Sequence, residues 1–496
     1  MTRQGEQLPK CLPLILAAIL GATLIARSAS AQNDGRGGRQ GGGRQGAGKP
    51  REVALPADMQ ALAKLSAVAG RPSMSSLAVN VLSAVSGQAL VEYGTVTGQY
   101  RQKTAPVACT AGVPVEITLS GLTPDSDVFY RVQVDDTTTG EQHFHTARAP
   151  GSGFTFEIQG DSHPERPQMF DAGLYAQTLR AAAADYPDFY LAIGDDFSVD
   201  TLQSATAEVD RIYRTQRLFL SLVDAPLFLV NGNHEQAARC NLDDTANNMA
   251  VWAGTCRNKY FALPAPDDFY SGDAQPVEHI GLLRDYYAWT WGDALFVAID
   301  PYWHSPGPVD NVYGERAKQR NRDLWQVTLG EEQYRWLQRT LQQSRARYKF
   351  VFTHHVLGTG RGGIEEAGLY EWGGNDPRGA SEFTQKRPGW ELPIQQLLAR
   401  NGVTIFFQGH DHVFVKQELD GVVYQSLPLP ADPYYALYNR DAYRSGEALP
   451  GSGRVRVTVA PDKVSVAYVR SYLPKDETSE HKNGEIGYSY EIPTAR

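Results

Sequence analysis

Short polar clusters follow five predicted buried strands almost without a gap, and this feature constrains the fold of the chain more than any other. In open α/β folds, ligands gather in the crevice beyond the carboxyl ends of the strands. The five segments are therefore predicted to meet at one site. The clusters are Gly160-Asp161-Ser162-His163, Gly194-Asp195-Asp196, Gly232-Asn233-His234-Glu235, His354-His355 and Gly409-His410-Asp411-His412.

These strands belong to an alternation of β and α segments that begins after Pro150. The pattern predicts an α/β domain whose sheets are covered by helices. Two insertions rich in Gly, Pro and aromatic residues, 236–285 and 357–389, are interpreted as long irregular loops. Strands are predicted at 154–158, 189–193, 227–230, 295–299, 349–353 and 403–407, and helices at 172–185, 209–223, 331–347 and 392–400.

The residues before this alternation follow a different pattern. From about 72 to 148, short alternating runs such as Leu77-Ala78-Val79-Asn80-Val81 are separated by turn residues, which is typical of an antiparallel sandwich. A chain of 496 residues is too long for one ordinary core. Two folded domains are therefore predicted: a small β-sandwich over 51–149 and an α/β domain over 150–496.

The first 31 residues are interpreted as a signal peptide. A basic start is followed by the apolar run Cys11–Ile25 and by Ala29-Ser30-Ala31, a small-residue cleavage site. Export to the periplasm or the extracellular space is expected, with cleavage after about Ala31. The apolar run is shorter than the roughly 20 residues of a spanning helix, so no stable membrane span is predicted. Residues 32–50, rich in Gly, Arg and Gln, indicate a flexible linker.

The net charge limits the partners that are expected, and the cysteines indicate where a disulfide is expected. The net charge of −9 and the lack of a basic stripe disfavour nucleic-acid partners and a nuclease activity. In an oxidising compartment a Cys240–Cys256 disulfide is the expected pairing, with Cys109 left over. The cysteine spacing lacks the CxxC pair of a structural metal site.

The five clusters have the composition of a metal site. Carboxylates, imidazoles and one amide oxygen are the ligands that two adjacent hard-to-borderline cations need. Each cluster alone could be an ordinary turn or helix cap. Six of the 11 histidines of the chain nevertheless lie in these clusters, which scattered structural histidines would not do. A shared metal centre is therefore predicted.

The order of the clusters over about 150–420 resembles the signature of the calcineurin-like metallophosphoesterase superfamily. The resemblance implies a four-layer α-β-β-α sandwich that holds two metal ions. Asp195 would bridge the two ions. By the same resemblance, the first metal is held by Asp161, His163, Asp195 and His412, and the second by Asp195, Asn233, His354 and His410.

The resemblance also implies a hydrolytic mechanism. A metal-bound hydroxide would attack a phosphoryl group held by the two cations. His234 would stabilise the developing charge or protonate the leaving group. Glu235 and Asp411 are expected to orient the ligands from behind, and His355 is a neighbour without an assigned role.

The N-terminal region around Val91-Glu92-Tyr93-Gly94-Thr95 resembles the fibronectin-III-like domain that precedes the catalytic domain of purple acid phosphatases. The predicted metal centre departs from that family at two positions. Ser198 occupies the place of the tyrosine that follows the bridging aspartate, and His163 adds an imidazole. A phenolate favours ferric iron, whereas an imidazole in its place suits divalent ions better. The two metal ions are therefore expected to be divalent Fe, Mn or Zn.

Taken together, these patterns predict an exported phosphomonoesterase that acts on a small phosphorylated substrate. Two alternatives stay open. One is a phosphodiesterase built on the same core, since the two insertions decide substrate choice. The other is a non-catalytic cell-surface binding protein, against which the intact ligands of all five clusters argue. The sequence indicates neither the natural substrate nor the oligomeric state.

Overall fold

The computed structural model describes residues 52–200, 202, 206–235, 237–307, 309, 323–355 and 360–494. The predicted signal peptide, residues 1–31, and the predicted linker, residues 32–50, lie outside the described residues. None of the helices in the described part of the chain has the length and apolar character needed to cross a bilayer.

The N-terminal part is a sandwich of two antiparallel sheets. Alternate residues of its strands, such as Val91 and Val132, point into a core that the two sheets share. The predicted small β-sandwich is therefore confirmed. The first sheet contains β1 (Leu65–Gly70), β2 (Ser76–Ser83) and β6 (Val115–Ser120), and the second contains β3 (Gly87–Gly94), β4 (Gln102–Lys103), β5 (Val107–Cys109), β7 (Asp127–Val134), β8 (Thr137–Thr138) and β9 (Gln142–His145).

Two larger sheets form the rest of the fold. One has the order β12-β11-β10-β23-β24-β25 and is built from β10 (Phe154–Gln159), β11 (Phe189–Ala192), β12 (Leu227–Leu229), β23 (Gly453–Val459), β24 (Lys463–Arg470) and β25 (Ile486–Pro493). The other has the order β13-β16-β17-β18-β19-β21-β20-β22 and is built from β13 (Ser271–Gly272), β16 (Tyr287–Trp291), β17 (Ala294–Ala298), β18 (Tyr348–Thr353), β19 (Ile405–Gln408), β20 (Phe414–Leu419), β21 (Val422–Ser426) and β22 (Glu447–Leu449). A separate hairpin joins β14 (Pro276–Val277) to β15 (Gly281–Leu282). Strands β10, β11 and β12 run parallel, as do β17, β18, β19 and β21.

The two larger sheets pack face to face through aromatic side chains. Phe156 of β10 lies 5.2 Å from Phe296 and 5.4 Å from Phe350 of the opposite sheet, measured between ring centroids. Helices cover both outer faces, so strands β11 and β17 are buried throughout, as parallel strands usually are. The predicted four-layer α-β-β-α sandwich is confirmed. The helices are α1 (Ala172–Ala184), α2 (Thr206–Leu220), α3 (Met249–Tyr260), α4 (Gly330–Gln343), α5 (Tyr370–Gly373), α6 (Phe383–Lys386) and α7 (Ile394–Arg400).

The first insertion differs from its prediction as an irregular loop, because it contains helix α3. Asn248 caps this helix by accepting a hydrogen bond from the Val251 N–H at 3.1 Å. Most of α3 is buried between α2 and the first large sheet. The helix has apolar residues on most of its surface, so the period that identifies an amphipathic helix is weak here.

The predicted Cys240–Cys256 disulfide is not found, since both cysteines are thiols among the described residues. Cys256 lies on α3 and faces the core of the first large sheet, where burial raises the pKa of its thiol to about 12. Cys240 lies in the short 3-10 helix Arg239–Asn241, and its Sγ is 3.9 Å from Asn241 Oδ1. The Cys256 thiol therefore lies in a core, whereas Cys240 is half-buried.

A buried arginine joins the sandwich to helix α2. Arg217 is fully buried, and its guanidinium donates to Ser66 Oγ at 2.6 Å and to Asn80 Oδ1 at 3.1 Å. It also donates to the Asn80 carbonyl oxygen. These acceptors are neutral, and burial lowers the pKa of the guanidinium to about 9. The charge is thus balanced by oriented dipoles across the boundary between the two parts of the fold.

A second polar contact at this boundary makes stability depend on pH. Asp224, between α2 and β12, is half-buried and accepts the His143 N–H of β9 at 3.3 Å. Burial raises the pKa of its carboxyl to about 7, although the His143 N–H opposes the shift. The folded state therefore holds a proton that the unfolded chain releases near pH 4.

We expect Asp224→Asn to be more stable than the wild type above neutral pH. Wild-type stability should fall as pH rises from about 4 through the folded pKa near 7, because the carboxyl then ionises in a partly desolvated place. The advantage of the variant should grow between pH 5 and pH 7 and then level off at roughly 2 kcal/mol. Urea unfolding at each pH measures it. The exposed Asp136→Asn variant is the control, and parallel pH profiles for wild type and Asp224→Asn would contradict the prediction.

Candidate metal centre

The five predicted clusters lie together at the carboxyl ends of parallel strands. Those that contain Asp161, Asp195 and Asn233 follow β10, β11 and β12 of one sheet, while those that contain His354 and His410 follow β18 and β19 of the other. Because the two sheets are stacked, these strand ends meet across the interface between the layers. All seven predicted ligand residues are buried.

The backbone at these strand ends is held in an unusual conformation. Four of the predicted ligands have positive φ angles: 46° at His163, 58° at Asp195, 68° at His410 and 58° at His412. Such residues cost about 1–3 kcal/mol each and cluster at functional sites, where the surrounding structure imposes them. The turns aim the side chains inward immediately after each strand ends.

Two glycines allow the loops to approach one another closely. A Cβ atom on Gly232 would lie 2.2 Å from Asp195 Oδ1, and one on Gly409 would lie 2.7 Å from Asp161 Oδ1. Both distances are too short for any side chain. The glycines that precede the polar residues in the sequence are therefore needed for packing between the loops.

The first group of ligand atoms comes from Asp161, His163 and His412. Asp161 Oδ2 lies 2.9 Å from His412 Nε2 and 3.6 Å from His163 Nε2, and the two Nε2 atoms are 3.0 Å apart. The other carboxylate oxygen, Oδ1, accepts the His410 N–H at 2.9 Å. Oδ2 is buried without a hydrogen-bond partner in the described part of the chain and faces the imidazoles.

The second group comes from Asp195, His354 and His410, with Asn233 beside them. His354 Nδ1 is 2.9 Å from the Ile193 carbonyl oxygen, so it carries the proton and leaves the Nε2 lone pair facing the site. That Nε2 is 3.1 Å from Asp195 Oδ2 and 3.3 Å from His410 Nδ1. Asn233 Oδ1 approaches His410 Nδ1 at 3.0 Å.

Asp195 lies between the two groups. Its Oδ1 accepts the His234 N–H at 2.9 Å, which turns Oδ2 toward the imidazoles of both groups. Oδ2 lies 3.1 Å from His354 Nε2 in one group and 3.6 Å from His163 Nε2 in the other. This placement is what a carboxylate shared by two cations requires.

The donor set fits two bound cations. Nitrogen lone pairs and carboxylate oxygens about 3 Å apart repel one another unless a cation or a proton lies between them, and metal–ligand distances near 2 Å produce such spacings. Burial lowers the pKa of His412 to about 3, although Asp161 opposes this, so that imidazole is a neutral ligand. Burial also disfavours charge on His354, but Asp195 and Asp161 raise its pKa to about 10. A cation that binds there displaces a proton.

Glu235 supports the loops rather than the imidazoles that it was expected to orient. Its Oε1 accepts the N–H groups of Asp196 and Phe197 at 2.8 and 3.1 Å. Its Oε2 accepts those of Gly232 and Asp195 at 2.8 and 3.1 Å. Burial and Asp195 raise the pKa of Glu235, but a proton on either oxygen would displace an N–H donor. The carboxylate is therefore the form that fits, and it fixes the bridging aspartate through the backbone.

Asp411 has a similar role in the opposite sheet. Its Oδ1 accepts Arg361 Nη1 at 2.8 Å, and its Oδ2 accepts the Gly362 N–H at 2.9 Å and the Tyr443 hydroxyl at 2.6 Å. Arg361 also donates to the His410 carbonyl oxygen at 2.8 Å. The start of the second insertion is thereby bound to the loop that carries two of the ligands.

Two further positions have clear surroundings. The His355 ring packs 4.0 Å from the His410 ring, and its Nδ1 is 3.2 Å from the Tyr302 hydroxyl, so it supports a ligand from the side.

Ser198 is buried, and its Oγ has no hydrogen-bond partner among the described residues. No phenolate reaches the site from that position.

His234 lies at the solvent side, where 21% of its side chain is exposed, and with His163 and Asp195 it forms a third group whose ligand atoms lie within 4.8 Å of one another. Its Nδ1 is 2.9 Å from Asp200 Oδ2, and its Nε2 is 2.8 Å from Arg166 Nη2 and 3.8 Å from Asp195 Oδ2. Burial opposes charge on this imidazole, yet Asp195 and Asp200 raise its pKa to about 9. A guanidinium has only N–H donors, so its approach to 2.8 Å requires a lone pair, and therefore no proton, on Nε2. We favour the neutral ring in this arrangement because the hydrogen bond fixes it directly.

Three charged residues that no sequence pattern predicted also lie at this opening: Glu165, Arg166 and Asp200. Glu165 Oε1 lies 2.9 Å from His163 Nδ1 and 3.1 Å from Arg166 Nε. Arg166 follows His163 by three residues in the same loop, and Asp200 follows Asp195 by five. Their proximity to predicted ligands was the available signal, but exposed charges in loops are common.

Comparison with known proteins supports the same fold. A model of the family described as calcineurin-like phosphoesterase matches residues 155–414. The structure of PhoD aligns with a TM-score of 0.60 and 14% identity over 90% of this chain and 92% of that chain. Purple acid phosphatase PPD1 from yellow lupin (Lupinus luteus) seeds aligns with a TM-score of 0.57 and 16% identity over 87% of this chain and 74% of that chain. No curated protein matches the sequence.

The position of Asp195 between the two groups predicts the metal content of variants. Asp195→Ala should bind neither metal ion tightly, because two cations at about 4 Å repel each other without a shared anion. His410→Ala, which removes a ligand of one group, should keep about one equivalent. Elemental analysis by mass spectrometry measures both, with circular dichroism to verify folding. Two equivalents in folded Asp195→Ala would refute the bridging position.

Proposed function

The chain belongs to the calcineurin-like phosphoesterase family of metal-dependent phosphoester hydrolases, and on this premise we propose that it hydrolyses phosphate monoesters at a centre of two divalent metal ions. The observation that carries the proposal is the convergence of Asp161, His163 and His412 with Asp195, His354 and His410. Asn233 completes this set of ligands.

Two bound divalent cations would neutralise phosphoryl oxygens and lower the pKa of water at the site. The residues of the chain supply the rest. Asp195 sets the spacing of the two groups of ligands, and Glu235 holds the Asp195 backbone in position. The stacked sheets bury all the ligand residues, which strengthens every electrostatic interaction with a bound anion.

His234 is proposed to act on the leaving group. Its Nε2 faces the opening at 3.8 Å from Asp195 Oδ2, while Asp200 accepts from its Nδ1 and fixes the orientation of the ring. When a bound substrate takes the guanidinium donor in its place, Nε2 can carry a proton, as the raised pKa of the ring favours, and can then donate it to the departing oxygen or donate a hydrogen bond to a phosphoryl oxygen. The imidazole can therefore act on the leaving group from the solvent side of the site.

The proposal includes export and two domains. The basic start, apolar run and small-residue site within residues 1–31 support a cleaved signal peptide. The sandwich over 65–145 has a core of its own, which supports a separate fibronectin-III-like N-terminal domain over 51–149 and a catalytic domain over 150–496. The segment Val91-Glu92-Tyr93-Gly94-Thr95 resembles the front domain of purple acid phosphatases in sequence.

A substrate panel tests the proposed activity. Protein loaded with Zn²⁺, Mn²⁺ or Fe²⁺ should hydrolyse p-nitrophenyl phosphate with a higher kcat/KM than bis(p-nitrophenyl) phosphate. Chelation should abolish the activity, since the cations carry the charge stabilisation. Asp161→Asn, assayed in parallel, controls for contaminating phosphatases. Failure of metal-loaded protein to hydrolyse either ester would refute the proposal, and a higher value for the diester would assign the alternative activity.

A separate prediction concerns His234. His234→Ala should keep near-normal metal content while its turnover of an alkyl phosphate falls by about 10²-fold, the scale of a general acid. An aryl phosphate, whose leaving group needs no proton, should lose less activity. The exposed His481→Ala variant serves as the control. Equal losses on the two substrates would favour charge stabilisation, and loss of a metal equivalent would show that His234 is a ligand.

A further inference from the structure

Arg166 lies at the opening of the metal centre, beside the proposed acid. Its Nη2 is 2.8 Å from His234 Nε2, and 26% of its side chain is exposed. The backbone of Arg166 belongs to the loop after β10 and donates to the His163 carbonyl oxygen at 2.9 Å. Arg166 is therefore part of a loop that carries a metal ligand, and its guanidinium faces the space that a substrate must enter.

The side chain is oriented by three contacts. Glu165 Oε1 lies 3.1 Å from Nε, Met169 Sδ lies 3.9 Å from Nη1, and His234 Nε2 accepts from Nη2. A guanidinium has five N–H donors in a fixed plane, so these contacts leave donors on both terminal nitrogens. The planar arrangement of donors matches the oxygens of a phosphate group.

We propose that Arg166 binds a peripheral oxygen of the substrate phosphoryl group and favours dianionic monoesters over diesters. This inference rests on the proposed phosphoesterase function and names the substrate class of the same site. No role for Arg166 follows from the family signature, which ends at His163 in this segment.

The preference follows from counting oxygens and charges. A monoester dianion has three non-bridging oxygens and two negative charges, whereas a diester has two such oxygens and one charge. Two bound cations would neutralise phosphoryl oxygens, and the additional oxygen of a monoester would need a donor from the chain. Arg166 Nη2 and His234 Nε2 are 2.8 Å apart, so an oxygen that accepts a hydrogen bond from Arg166 lies within reach of the imidazole. A diester places an uncharged ester group there instead.

The carboxylates around the opening make this guanidinium more important. Glu165 and Asp200 flank Arg166 and His234 and repel an approaching dianion. Glu165 also contacts His163 Nδ1 at 2.9 Å, so its charge is shared between a ligand imidazole and the arginine. Without Arg166, the opening would present two carboxylates to the substrate.

The test compares Arg166→Gln and Arg166→Lys with the wild type, with Arg400→Gln on α7 as a matched control for a surface arginine. In Arg166→Gln, kcat/KM for p-nitrophenyl phosphate should fall about 10²-fold, while that for bis(p-nitrophenyl) phosphate should change by less than about threefold. Arg166→Lys keeps the charge but not the planar donors, so it should recover part of the loss.

A binding measurement makes the test independent of turnover. Calorimetric titration of the metal-loaded protein with inorganic phosphate should show a Kd at least about tenfold higher in Arg166→Gln, with unchanged metal content. Equal losses on monoester and diester, an unchanged phosphate Kd, or loss of a metal equivalent would each overturn the inference. If wild-type protein hydrolyses neither ester, the proposed function fails, whereas the phosphate Kd still decides whether Arg166 binds a phosphoryl group.

Discussion

The geometry of the centre depends on one buried carboxylate that is not itself a predicted ligand. Glu235 accepts four backbone N–H groups from the loops after β11 and β12, and so determines where Asp195 and Asn233 stand. Each of these amides would otherwise be a buried donor without a partner, at a cost of about 1–3 kcal/mol. The loops are thus held in a strained form by hydrogen bonds inside the protein, before any cation contributes. Asp411 holds the loop after β19 in place by accepting hydrogen bonds from Arg361 and Tyr443. At the point where the two sheets meet, the loops after β11 and β12 thus share one anchoring carboxylate, and the loop after β19 has another.

Much of this could be predicted because the relevant information is local. The strands that end at the site are short, apolar and followed at once by glycine and polar residues, so the strand ends and the polar clusters were found together. The chemistry of the ligands limited the site further, since imidazoles and carboxylates in that order have few other uses. The positive φ angles at Asp195 and His410 could not be foreseen, but the adjacent glycines indicated sharp turns.

The parts that were missed depend on contacts between distant residues. Strands β23, β24 and β25 complete the first large sheet, and β23 pairs with β10 across about 300 residues of chain, so no local pattern announces their place. Helix α3 is buried on most sides and lacks a clear amphipathic period, which left Cys256 assigned to one irregular segment with Cys240 and suggested a disulfide, whereas the structure has both residues as thiols. Arg166 has an ordinary loop sequence, and only its approach to His234 distinguishes it from other exposed arginines.

The arginine between the sandwich and α2 bears on how such a chain can evolve. Arg217 belongs to the catalytic half, yet its hydrogen-bond acceptors come from Ser66 and Asn80 of the sandwich. A chain that exchanged the front half for an unrelated one would leave this guanidinium without its acceptors, unless the new domain offered oxygens at the same positions. Replacement of the front half by a domain without oxygens at these positions is therefore expected to destabilise the fold, even though the sandwich has a core of its own.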